Sequence, residues 1–322
     1  MRIAIYSHSI APSIDGVCRR FTGLLHELVR QGHQILLFTL EDHPEDLPKE
    51  GLLEVVTLPH IILPAYPDKK IGRPTVIGLF RVLSALQRHK VEVVHVTSDA
   101  VSNTFSLAGL LLSVPVLASF HTDLQDLLSS HQAHPVQSFF TWLKERLDAM
   151  LLDSLATTSR SFQAKLALQG ITCDYVIKTA VNREVFHPSC KSEAVKKTLT
   201  FHQPNAFLCV YVGRVSREKK IDLLVAALKP LPNAYLAIVG DGPSAATFAS
   251  LHGKENRVHC LPGFKSHAEL AQIYASSDVH VSASEFETLG NTVLEAHSCG
   301  IPVVVPRTQV RGLTLFVYLF RL

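Results

Sequence analysis

Short, almost wholly apolar runs recur along this chain, and an amphipathic stretch separates each from the next. Residues 3–6, 35–40, 91–96 and 114–120 are such runs. Their brevity and apolar continuity fit strands buried on both faces, which is the setting of a parallel sheet. Between the first two, Phe21, Leu24, Leu25 and Leu28 recur at i, i+3, i+4 and i+7, and Gly32 follows as a helix stop. Residues 75–87, 102–112 and 136–153 read as further helices, and 154–157 and 175–178 as short strands. Repeated strand, helix and strand is the βαβ unit of an α/β fold. The series then breaks: residues 179–205 carry Pro188, Pro204 and a charged run from Lys191 to Lys197, and read as an interdomain connection. It restarts with strands at 207–212, 234–239, 258–261, 279–282 and 302–305, and helices at 221–228, 267–275 and 292–298. The expected architecture is two Rossmann-like, doubly wound domains, 1–178 and 206–322, facing across a cleft.

Composition narrows the function classes. With 322 residues, 47% hydrophobic and 18% charged, the chain can fill two cores, which excludes a mainly disordered protein. A net charge of +3 gives no basis for a nucleic-acid partner. No run approaches the roughly 18–20 apolar residues that span a bilayer, and the apolar stretch 313–320 is too short. Ser7-His8-Ser9 interrupts the first apolar run, so no signal peptide is read there. The six cysteines form no CxxC pair and the 17 histidines no HExxH pair, so no metal site is expected.

Ligands of doubly wound sheets bind beyond the carboxyl ends of the strands, so those loops carry the chemistry. Residues 282–297 follow one strand and open a helix, with Glu287 and Glu295 eight positions apart. Leu289, Gly290, Asn291 and Thr292 place backbone N–H groups at that helix start, where an anion such as a diphosphate is favoured. A carboxylate beside it can accept hydrogen bonds from sugar hydroxyls. The structural alternative is a loop charge and a helix residue favoured by the dipole. Residues 211–220 supply Gly213 for a tight turn and Arg214 and Lys219 as cations for a diphosphate, or else a solvated basic loop. Residues 238–243 form another strand-end turn containing Gly242, which is not a GxGxxG fingerprint. His121 ends a strand, where an imidazole can bind a hydroxyl or move a proton, or simply serve the core. Asp15-Gly16-Val17 stands at the start of the first helix.

Taken together, Asp15-Gly16-Val17, Ser119-Phe-His-Thr122, the Gly213-Arg to Glu218-Lys219 loop, Val239-Gly-Asp-Gly-Pro243, Pro262-Gly-Phe264, Glu287-Thr-Leu-Gly290, Leu294-Glu-Ala296 and Gly300-Ile-Pro-Val-Val304 resemble glycosyltransferase family 4. These are retaining enzymes of GT-B fold, and the likeness runs from residue 1 to about Pro306. The resemblance implies that Arg214 and Lys219 bind the donor diphosphate, so that neither metal nor cofactor is needed beyond the nucleotide-sugar co-substrate. It implies that Glu287 faces the donor sugar, Glu295 binds the ribose diol, and the amides near Leu289 and Gly290 hold phosphate. Phe264 would lie by the nucleobase, Gly16 would let its loop approach the donor phosphate, and His121 would touch the sugar near the reacting carbon.

Within the family, Ser119-Phe-His-Thr122, Glu287-Thr-Leu-Gly290 and Arg19-Arg-Phe21 look most like sulfoquinovosyltransferases, which move a sugar from a UDP donor to diacylglycerol. A lipid acceptor implies peripheral membrane contact for a cytoplasmic protein. The candidate surfaces are Lys69, Lys70, Arg73, Arg81, Arg88 and Lys90, and the helix with Phe139, Phe140, Trp142, Lys144 and Arg146; solvated basic faces and a core-packing helix are the alternative. After Pro306 the family pattern is expected to stop, leaving the second domain incomplete with a divergent tail from about 307 and reduced stability or activity. A chain that only binds nucleotide, or regulates a partner enzyme, is the alternative function.

Overall fold

A computed structural model describes residues 1–13, 15–63, 66–121, 135–177, 181–284, 290–306 and 317–320. It divides into two compact units, 1–178 and 179–322. The first contains β1 (Arg2–Ser7), α1 (Gly16–Arg30), β2 (Gln34–Thr39), β3 (Leu52–Thr57), β4 (His60–Leu63), β5 (Tyr66–Gly72) and α2 (Val76–Arg88). It continues with β6 (Val93–Thr97), α3 (Ser102–Leu112), β7 (Val116–Phe120), α4 (Pro135–Leu151), β8 (Ser154–Thr157), α5 (Arg160–Leu168) and β9 (Tyr175–Val176). Among the described residues its main sheet runs β3-β2-β1-β6-β7-β8-β9, and every pairing is parallel. The order reverses between β1 and β6, which is the topological switch point.

Alternate residues of each strand enter different cores, as the period of two requires. Ala4 and Tyr6 of β1 join Leu36 and Phe38 of β2 against α2, α3 and α5. Ile3 and Ile5 join Ile35 and Leu37 against Val17, Phe21 and Leu25 of α1. Both strand faces are therefore covered, which explains why these runs are apolar throughout. β4 and β5 form a separate antiparallel hairpin.

The second unit contains a 3-10 turn (Pro188–Cys190), α6 (Glu193–Leu199), β10 (Phe207–Val212), a 3-10 turn (Arg217–Lys219), α7 (Ile221–Ala227), β11 (Ala234–Val239) and α8 (Ala245–Ala249). β12 (Val258–Leu261), α9 (His267–Ser276), β13 (Val279–Val281), α10 (Asn291–Ser298), β14 (Val303–Pro306) and β15 (Val317–Phe320) follow. Its parallel sheet runs β12-β11-β10-β13-β14-β15 among the described residues, with the switch point between β10 and β13.

Two expectations change. Residues 181–205 are not an open connection but part of the second unit. Ser192 caps α6 through the Val195 N–H, Phe186 and Leu199 enter the core, and Lys196 pairs with Asp278 at 2.7 Å. The helix turns Val195 and Leu199 to the core and leaves Lys191 before it and Lys197 within it exposed. Within the expected divergent tail, Val317–Phe320 adds to the sheet, pairing parallel with β14 from Val303↔Val317 to Pro306↔Phe320.

Candidate functional site

In the second unit, the loops after β10 and β11 meet with bare backbone. Gly213, Gly240 and Gly242 have φ of +151°, +134° and +154°, which L side chains rarely adopt. A Cβ on Gly240 would stand 2.1 Å from the Gly213 carbonyl oxygen, and one on Gly242 2.5 Å from that of Val215. The loops are tied by Val215 N–H donating to Asp241 O at 2.8 Å and Ser244 N–H donating to Val215 O at 3.0 Å. On this base stand Arg214, whose carbonyl accepts from the Tyr211 hydroxyl at 2.7 Å, and Lys219, the last residue of its 3-10 turn. Both side chains are partly exposed.

Across the switch point, Gly290 sits at the N-cap of α10 with φ +73°, a left-handed conformation that favours glycine. Glu295 lies one turn inside that helix and is buried; one of its carboxylate oxygens accepts from the Tyr274 hydroxyl at 3.2 Å. His280 of β13 packs edge-on to Tyr274, and burial holds its pKa down to about 4. Phe264 stands exposed after β12. Glu287 and Leu289 lie outside the described residues.

In the first unit, Asp15 caps α1 by accepting from the Val17 and Cys18 N–H groups at 2.9 Å, and leaves Gly16 exposed at the first helical position. His121 follows β7. Its Nε2 lies 2.7 Å from Ser119 Oγ, and its Nδ1 lies 3.3 Å from Arg20 Nη1. Arg20 also donates from Nη2 to Ile177 O at 2.8 Å. Ser119 Oγ is 2.8 Å from His95 Nε2, and the Phe21 ring packs 5.3 Å from both imidazoles. Burial, with Arg20 beside it, pushes His121 well below 6.5 and His95 to about 4. His121 is therefore a neutral hydrogen-bonding group, and a role as a cationic proton donor does not fit.

At the switch point of this sheet, the Tyr6 hydroxyl donates to Asp99, His8 Nδ1 lies 3.0 Å from Thr97 Oγ1, and the Val101 N–H donates to Asp99 Oδ1 at 2.9 Å. Burial raises the pKa of both Asp99 and Tyr6. Sequence reading did not single out His95 or Asp99. The signals were present: a histidine inside an apolar strand, and a carboxylate just past a strand's carboxyl end.

The family described as glycosyl transferases group 1 matches residues 191–312, and the glycosyl transferase 4-like domain matches residues 15–174. The GDP-mannose-dependent alpha-mannosyltransferase of Mycobacterium tuberculosis is 30% identical over 311 residues, 95% of this chain and 79% of that protein. The chain belongs to the group 1 glycosyltransferases. Other members at comparable distance are the sulfoquinovosyl transferase SQD2 of Arabidopsis thaliana, 30% identical over 95% of this chain, and the alpha-monoglucosyldiacylglycerol synthase of Acholeplasma laidlawii, 26% identical over 95% of it. The chain spans 59% of the Arabidopsis protein's length and 80% of the Acholeplasma protein's. Anabaena HepE, solved in complex with UDP-glucose, superposes with a TM-score of 0.68 at 18% identity, covering 96% of this chain and 81% of that one. The group 1 match extends six residues past Pro306, into the expected divergent tail. The fold is GT-B.

Proposed function

We propose that this glycosyltransferase moves a sugar from a UDP-sugar to a diacylglycerol-type lipid, with retained anomeric configuration and without a metal ion. The observation that carries the reading is the placement of Arg214 and Lys219 on the loop after β10, at the switch point, where Gly213, Gly240 and Gly242 let that loop pack closely on the loop after β11. The two cations supply a donor diphosphate with the charge stabilisation that a metal would otherwise give. Glu295, positioned by Tyr274, serves the ribose diol; Glu287, Leu289 and Gly290 serve the sugar and phosphate; Phe264 serves the base. As the acceptor oxygen bonds to the anomeric carbon, the bond to the phosphate oxygen breaks. The electron pair leaves on the phosphate, which takes the acceptor's proton.

The lipid acceptor is supported by the diacylglycerol synthase among the relatives and by the surface of α2. Val76, Ile77 and Phe80 are 70%, 64% and 64% exposed, beside Arg73 and Arg81, while Arg88 pairs with Glu54 at 3.0 Å. Ile77, Phe80 and Arg81 also line a groove of about 610 Å³ against β3. Lys70, another expected contact, instead pairs with Glu41 at 3.0 Å and Asp42 at 3.1 Å. On α4, Trp142 donates to Gln169 O at 3.0 Å with Arg146 over its ring, as in a packing helix.

The test is incubation of the chain with radiolabelled UDP- and GDP-sugars, diacylglycerol vesicles and soluble sugars. Transfer from a UDP-sugar to lipid is expected, falling about 10²–10³-fold in Lys219→Ala and in Glu287→Ala. Transfer from GDP-mannose alone would overturn the donor assignment, and unchanged turnover in Lys219→Ala would overturn the phosphate role.

A further inference from the structure

The His121 imidazole is engaged at both ring nitrogens. A guanidinium can only donate, so Arg20 Nη1–H on Nδ1 requires a lone pair there and places the ring proton on Nε2. That N–H meets Ser119 Oγ at 2.7 Å; the Ser119 hydroxyl in turn donates to Val96 O at 3.5 Å, and its oxygen lies 2.8 Å from His95 Nε2. The hydrogens thus run in one direction from Arg20 through His121 to Ser119.

We propose that Arg20 is a positioning residue, whose guanidinium fixes His121 as the neutral Nε2–H tautomer with its Nδ1 lone pair turned to α1. Arg20 suits this because a second donor, Nη2, is anchored on Ile177 O past β9, so one planar group bridges α1, β7 and the end of the sheet. Phe21, the next residue on α1, packs against both imidazoles. Among the described residues, the charged and titratable groups that act on His121 are Arg20, His95, His8 and Asp15. Burial opposes a positive charge on the ring most strongly; Arg20, His95 and His8 disfavour it too, and Asp15 favours it. The consequence for catalysis rests on the glycosyl-transfer reading: a ring held neutral takes no proton from the acceptor, which leaves that proton to the phosphate.

The tautomer can be read without any turnover. In the full chain with 15N-labelled histidine, long-range 1H–15N spectra distinguish Nε2–H from Nδ1–H, and His121→Asn identifies the signals. The wild type is expected to show an untitrating Nε2–H ring from pH 5 to 8. In Arg20→Met the His121 pKa should rise, with proton affinity increased at least about tenfold, and the Nδ1–H tautomer should appear. Arg20→Lys should fall between the two. In transfer assays Arg20→Met should lower kcat by about tenfold or more, leave the donor KM within about twofold, and add an acid limb to the pH profile. A wild-type His121 that carries Nδ1–H, or that titrates near its ordinary value, overturns the proposal. So does Arg20→Met with an unchanged His121 spectrum; should that variant fail to fold, the wild-type spectrum and Arg20→Lys decide. Absence of transfer with the tautomer intact would instead strike the function reading.

Discussion

Gly240 shows how one residue can be fixed by its neighbours alone. A methyl group there has no room against the Gly213 carbonyl, and φ of +134° resists any side chain. Gly240→Ala is expected to destabilise the chain by about 3 kcal/mol, in the range of strained-backbone and overpacking substitutions. Chemical denaturation would measure this, and a change below about 1 kcal/mol would mean the loops separate freely. His95 and His280 make a prediction in pH. Both are held at about 4 in the fold, against about 6.5 in an unfolded chain. Between those values the unfolded state binds protons that the native state refuses, so stability is full above pH 6.5 and falls as pH drops towards 4. One such histidine accounts for about 2 kcal/mol lost between pH 7 and pH 5. Urea unfolding of His280→Gln should therefore show a pH 7 to pH 5 loss smaller than the wild type's by about that amount.

At the scale of elements, α2 links capping to surface chemistry. Thr75 accepts from the Gly78 N–H at 3.0 Å and so holds the first turn, which presents Val76 and Ile77. Thr75→Ala should cost about 1 kcal/mol and weaken vesicle binding, because a frayed turn no longer presents that apolar pair. Cosedimentation and thermal melts together would check both effects. Most elements were legible because each has a period: α1 from Phe21, Leu24, Leu25 and Leu28, and β1, β2, β10 and β11 from continuous apolar runs. β3 was not singled out. It is the sheet's edge, its six residues are all half-buried, and no helix precedes it to mark it as a βαβ strand. α6 reads as a connection because Pro188, Pro204 and the charged run Lys191–Lys197 surround it, and its apolar pair, Val195 and Leu199, is too short to show a period.

For the whole molecule, the question is where a chain with net charge +3 meets its acceptor. Among the described residues no helix is long and apolar enough to cross a membrane. The α2 face predicts adsorption instead. Binding to vesicles containing anionic lipid should weaken as salt is raised, since each arginine near such a surface contributes about 1 kcal/mol and is screened within a Debye length. Ile77→Ser with Phe80→Ser should abolish binding at any salt while leaving nucleotide binding intact. Flotation assays would decide, and full binding by the double variant would place the contact elsewhere.

Fold class, family and the strand-end position of most candidate site residues follow from the order of residues alone, because periodicity and loop motifs are local properties. That order also places Arg214 and Lys219 on one short loop and Gly290 at a helix start, since neighbours in sequence remain neighbours in space. The environment of His121 arises from folding. Arg20, His95, Ser119 and Ile177 come from four separate segments, and they meet because the sheet order sets β6 beside β7 while α1 packs over them. Burial at that meeting point, together with a neighbouring cation, sets the imidazole's charge, and neither follows from the residues flanking His121 in sequence.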